Sequence, residues 1–149
     1  MLDEEMKEVL KRNICYFATS TKDGKPNVIP VGLVEPIDNS RILLVDVKMN
    51  KTRRNLEEND AVALAVTDFE KLKAYQFKGR AKVVTKGELF EKAIKLAEER
   101  MKIRRERLER RLESESNPEM RKKVKKIAER KMKPKAAIVI EVKEVYPCM

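Results

Sequence analysis

The order of apolar and polar positions changes period several times along the chain, and each change marks an element. Over residues 3–12, Leu2, Met6, Val9 and Leu10 share one side of a helix, while Asp3, Glu4 and Glu5 suit its positive N-terminal end. The period then drops to that of a strand. Residues 14–20 are rich in β-formers, and the Asp23-Gly24 pair supplies a tight turn. A second strand is predicted over residues 26–34. Its Pro30 cannot donate to a ladder, so that strand belongs at an edge or carries a bulge. The turn at residues 36–40 leads to a third strand, 41–47.

Residues 50–59 predict a helix of about two turns, capped by Asn50 or Thr52. Residues 61–67 form a fourth strand, apolar at nearly every position and therefore expected to be buried on both faces. A long fifth strand, 73–85, is interrupted at Gly79, and residues 136–146 close as a sixth with one wet face. Hairpins and short loops point to a mainly β domain with helices, built on an antiparallel sheet or barrel.

Between residues 88 and 133 the pattern is helical. Phe90, Ile94, Ala97, Met101, Leu108 and Leu112 make a narrow stripe, and Met120, Val124, Ile127 and Met132 make another. Asn117 and Pro118 start the second helix. The expectation is a charged helical hairpin with coiled-coil-like packing, inserted at about 88–133 into a single domain spanning 1–149.

Charge and composition sharpen this reading. The chain carries 35 Lys and Arg against 25 Asp and Glu, a formal charge of +10, and the hairpin holds 17 of the basic and 10 of the acidic residues. No apolar stretch approaches the roughly 20 residues of a membrane span. The start of the chain lacks a cationic segment followed by an apolar block, so a cytoplasmic protein with no membrane partner is expected. There is no histidine, which excludes a Ser-His-Asp triad and His-ligated zinc or haem. Cys15 and Cys148 form no metal-binding pair and are expected to be reduced. The abundance of Lys, Arg and Glu, with one Gln and no Trp, matches heat-adapted (thermophile) compositions.

The segment from Val45 to Arg54 carries the most chemistry. A strand runs into a helix start bearing Lys51, Thr52, Arg53 and Arg54. Free N–H groups, a hydroxyl and several cations suit a phosphate. The alternative is a solvated basic helix start, and without glycines the spacing names no ligand.

Three stretches in order, Phe17-Ala-Thr-Ser with Asp23-Gly-Lys-Pro-Asn-Val-Ile-Pro-Val31, then Lys51-Thr-Arg-Arg-Asn-Leu56, then Tyr75-Gln-Phe-Lys-Gly-Arg-Ala81, resemble the pyridoxamine 5'-phosphate oxidase-like FMN-binding family. The resemblance implies a split β-barrel of about six antiparallel strands and a homodimer with FMN in clefts at the interface. It assigns the FMN phosphate to Lys51 and Thr52, with Arg53 beside them. Asn27, Val28, Ile29, Pro30 and Val31 would lie along the flavin, Val45, Asp46 and Val47 would flank it, and Gln76 would reach it, in some relatives from the other subunit. For Val28 and Val31 the alternative is ordinary core, for Gln76 a solvent-facing strand position, and for Asp46 a structural carboxylate. The C-terminal Arg and His set of the true oxidase is missing, so pyridoxamine phosphate oxidation is not implied.

The implied activity is flavin-dependent redox chemistry on an unidentified small molecule, with no catalytic acid or base evident, because the ring itself accepts electrons. A deazaflavin coenzyme in place of FMN and a non-enzymatic flavin carrier are the alternatives within the resemblance. The basic hairpin offers another, a nucleic-acid-binding module. Against it stand the glutamates interleaved at 98, 99, 106, 109 and 113, pairs such as Glu106–Arg110 that favour a salt-bridged surface, and a single aromatic, Phe90. The hairpin is expected instead to extend the dimer interface or shield the cleft.

Overall fold

The computed structural model describes residues 1–149. The chain runs α1 (Glu4–Arg12), β1 (Cys15–Ser20), β2 (Pro26–Val31), β3 (Val34–Pro36), β4 (Arg41–Asp46), α2 (Asn50–Glu58), β5 (Ala61–Asp68), β6 (Lys73–Val84), α3 (Glu88–Ser114), α4 (Pro118–Ala128) and β7 (Ala136–Pro147). All strand pairs are antiparallel, in the order β2-β1-β5-β6-β7-β4-β3. The predicted second strand is therefore two, which raises the strand number to seven. Only Gly32 and Leu33 separate β2 from β3, yet these strands form opposite edges of the sheet. A two-residue link can join opposite edges only if the sheet curls on itself, and the result is a barrel split along one seam. Pro30 sits on the edge strand β2, where no ladder donor is required of it.

Phe17, Leu64, Phe77, Ile42, Leu44, Ile138 and Ile140 fill the barrel. Helix α1 closes one end with Val9 and Leu10, joined by Leu2 just before it, and Asp3 caps it by accepting the Met6 N–H at 2.8 Å. Tyr75 ties β6 to α1 by donating its hydroxyl to Glu5 at 2.6 Å.

Burial on both faces belongs to β4, not to β5 as predicted. The outward-facing Leu43 and Val45 are covered by Ala93, Leu96 and Ala97 of α3. In β5 the burial alternates, and Ala61 and Ala65 face outward. Alanine there makes the strand read as uniformly apolar although one side is uncovered.

The hairpin also differs from its prediction. The buried residues of α3 are Ala93, Leu96 and Ala97, which dock on the sheet, so its base is held by a face adjoining the predicted stripe. α4 packs on α3 through Val124 and ends at Ala128, leaving Met132 in the irregular link to β7. Asn117 caps α4 as expected, accepting the N–H groups of Glu119 and Met120 at 3.0 and 3.4 Å. No ion pair within 4.0 Å joins any residues of 88–135, Glu106 and Arg110 included. No helix is long and apolar enough to cross a membrane.

Candidate functional site

A cleft of about 490 Å³ opens at the seam of the barrel. Ile29, Pro30 and Val31 of β2 form one side, continued by Gly32 and Leu33. Val45, Val47, Lys48 and Met49, on the path from β4 into α2, form the other. The hairpin closes it with Arg100, Arg104 and Met132. The walls are mostly apolar and the ionisable side chains lining the cleft are all cationic. Such a space falls within the roughly 300–1,000 Å³ of small-molecule and cofactor sites.

The structure thus brings together five of the residues expected along a flavin: Ile29, Pro30, Val31, Val45 and Val47. Residue-level reading missed Leu33, Lys48, Met49, Arg100, Arg104 and Met132. One signal for the arginines was available. Arg100 and Arg104 are like charges at i,i+4, with no carboxylate three or four positions from either. Arg100 spans the seam, its guanidinium donating to the carbonyls of Gly32 at 3.4 Å and Lys11 at 3.3 Å.

At the start of α2 the N-cap is Met49, neither Asn50 nor Thr52, and no side chain caps through its own hydroxyl or amide. The cause is Asp46, the last residue of β4. Its buried carboxylate accepts the Met49 N–H at 2.8 Å and the Arg53 guanidinium at 2.8 Å. Asp46 is therefore a structural brace between β4 and α2, and Arg53 is partly engaged by it. The Arg53 Nε remains buried without a partner, beside a polar hollow of about 390 Å³ lined also by Asn50, Arg54, Glu57 and Lys135. The first backbone bond of the helix is Arg53 N–H to Met49 O at 3.0 Å, which leaves the Lys51 and Thr52 N–H groups without backbone acceptors. Thr52 is buried and its hydroxyl accepts from the Asn27 amide at 3.2 Å, so those two predicted residues meet. Lys51 is exposed on the first turn and lines neither space.

Val28 and Gln76 lie elsewhere. The register sets Pro30, Tyr16, Ala65, Gln76 and Tyr146 in one row across the outer face of the sheet, with Val28, Ala18, Ala63 and Lys78 in the next. Tyr16, Val28 and Tyr146 are 52%, 62% and 43% exposed there. Cys15 faces the barrel interior, where burial pushes its thiol up to about 12, far from any reactive thiolate range.

A curled antiparallel sheet with an apolar, cation-rimmed cleft along its seam defines the split β-barrel class. The family model described as pyridoxamine 5'-phosphate oxidase matches residues 2–149, and the chain belongs to that family. An uncharacterized protein of Methanocaldococcus jannaschii is 33% identical over 147 residues, covering 97% of this chain and 79% of that protein. Among solved structures, HupZ of Group A Streptococcus superposes with a TM-score of 0.73 at 25% identity, covering 99% of this chain and 94% of that one. An FMN-binding protein from Syntrophomonas wolfei gives 0.66 at 16% identity, covering 99% and 88%. An F420 reductase gives 0.57 at 15% identity, covering 97% and 98%. The last two likenesses show the fold.

Proposed function

We propose that the seam cleft binds FMN and that the protein is a flavin-dependent oxidoreductase acting on a small molecule. The observation that carries this reading is an apolar seam cleft whose wall runs through Val47, Lys48 and Met49 directly into a helix start whose first amides are free. An isoalloxazine ring suits the apolar walls of Ile29, Val31, Val45 and Val47. A phosphate suits the unpaired N–H groups of Lys51 and Thr52, with the Lys51 ammonium as counter-charge and the buried Arg53 Nε close by. When bound, the flavin supplies the redox chemistry, accepting electrons from a donor and passing them on. The chain's part is to hold the ring, bind the phosphate and keep water from the apolar walls. Asp46 is engaged twice in hydrogen bonds, so no acid–base role is assigned to it.

A homodimer is part of the same reading. The row Tyr16, Pro30, Ala65, Tyr146 and the adjacent Val28 make an uncovered apolar sheet face, of the kind that marks an interaction surface. Gln76 lies in that face and would act across the interface. A deazaflavin coenzyme, named by the F420 reductase of the same fold, is the second occupant to test.

The experiment is a comparison of FMN and riboflavin, which differ by the phosphate alone, in titrations monitored by flavin fluorescence. The wild-type chain is expected to prefer FMN by at least about tenfold, and Lys51→Ala to erase most of that preference while leaving riboflavin binding unchanged. Equal affinity of the wild-type chain for the two flavins would remove the phosphate site at α2.

A further inference from the structure

Once α3 is formed, four of its arginines gather on one face that carries no glutamate. At about 100° per residue, Arg100, Arg104, Arg107 and Arg111 fall within roughly 60° of one another. Glu98, Glu106, Glu109 and Glu113 fall on the opposite side. Lys95, Lys102 and Arg105 share that opposite side, so it is mixed in charge, whereas the arginine ridge is purely basic. None of the four arginines has a carboxylate within 4.0 Å, and Arg104, Arg107 and Arg111 are exposed. Like charges at i,i+3 and i,i+4 weaken a helix by a few tenths of a kcal/mol per pair. The arrangement is therefore one that folding does not favour.

The rest of the hairpin has the same sign. Between Arg100 and Lys133 there are fifteen basic and six acidic residues, so nearly all of the chain's +10 resides there. This part of the molecule adds little to the core. Beyond Ala97 no residue of α3 is buried, and α4 buries only Val124. Seventeen residues of α3 past that point extend about 25 Å along the axis. Only part of this ridge, at Arg100 and Arg104, faces the seam cleft.

We infer that the arginine ridge of α3 binds the phosphodiester backbone of a nucleic acid. Side chains three and four apart on one helix face stand about 5–6 Å from each other, a spacing that lets successive guanidiniums take neighbouring phosphates of one strand. The mixed-charge side faces away from the ridge, so the contact is one-sided. The single aromatic residue of the hairpin, Phe90, sits at its base, which excludes a stacking platform along the ridge. Binding of this kind is independent of sequence and falls steeply with salt. It stands apart from the flavin reading and does not require it.

The test uses the whole chain and fluorescein-labelled 20-nucleotide probes, single-stranded and duplex, followed by anisotropy between about 50 and 200 mM salt. Arg107→Gln/Arg111→Gln avoids the cleft, and Lys122→Gln/Lys123→Gln on α4 removes the same charge from another surface. The arginine pair is expected to weaken binding at least about tenfold at the lower salt and to lower the log–log salt slope by about 1.4 to 1.8. The lysine pair should change the affinity less than threefold. Equal losses from the two variants would show net charge alone at work and overturn the ridge. Tighter binding to phosphatidylglycerol vesicles than to either probe, or no probe binding at about 50 mM salt, would overturn the nucleic acid. Circular dichroism of each variant guards against a lost helix, and Arg107→Lys/Arg111→Lys keeps the charge if the glutamines unfold α3.

Discussion

Gly79 shows what one residue decides in this barrel. The ladder between β6 and β7 slips at this point, pairing Lys78 with Glu144 and Gly79 with Val142. A Cβ on residue 79 would lie 1.9 Å from the Glu141 carbonyl oxygen, a backbone atom that cannot swing aside. Gly79→Ala is therefore expected to cost about 2 kcal/mol or more, read as a lower midpoint in urea unfolding. A midpoint equal to that of the wild type would show that the bulge has room to spare. The interruption at Gly79 was legible in the sequence as a glycine inside a strand pattern, but its partner was not, because pairing across the sheet is set by the whole ladder. Asp46 is the reverse case. The family resemblance set it beside the flavin, with a structural carboxylate as the alternative, and its bonds to Met49 and Arg53 show it bracing the helix start. Only the turn geometry after β4 reveals that task.

Elements were legible where their period was clean and their ends carried caps. α1 with Asp3 and α4 with Asn117 and Pro118 begin within a residue of their expected positions. β2 and β3 were merged because Gly32 and Leu33 break the pairing without breaking the apolar run. The turn at residues 37–40, between β3 and β4, has its own electrostatic fastening. Asp38 accepts the Ser40 and Arg41 N–H groups at 2.9 Å each and the Arg41 guanidinium at 2.8 Å. The Ser40 backbone bond first, and then Arg41, hold its carboxyl down to about 2. A lowered folded value means that the contribution is complete above the ordinary carboxyl range near about 3.9 and is lost as pH falls through about 2. Thermal melts should show wild type more stable than Asp38→Asn at pH 5, with the gap closing toward pH 2. A gap independent of pH would assign the effect to shape and not to charge.

At the scale of the whole molecule, the cleft exists because the sheet curls until its two edges, consecutive in sequence, face each other. That closure brings Ile29 and Val31 opposite Val45 and Val47, and it sets the start of α2 at one end of the seam. The strand walls were legible through family resemblance, which set residues 27–31 and 45–47 along the cofactor. A hairpin shielding the cleft was among the expectations, but its residues there were not legible, because Arg100, Arg104 and Met132 come from more than fifty residues farther along and meet the seam only after α3 docks on Leu43 and Val45. The absorbance spectrum of the protein after loading with FMN and desalting tests the central claim most directly. The account predicts flavin bands near about 370 and 450 nm travelling with the protein, one flavin per chain. Protein that emerges colourless after loading would contradict it.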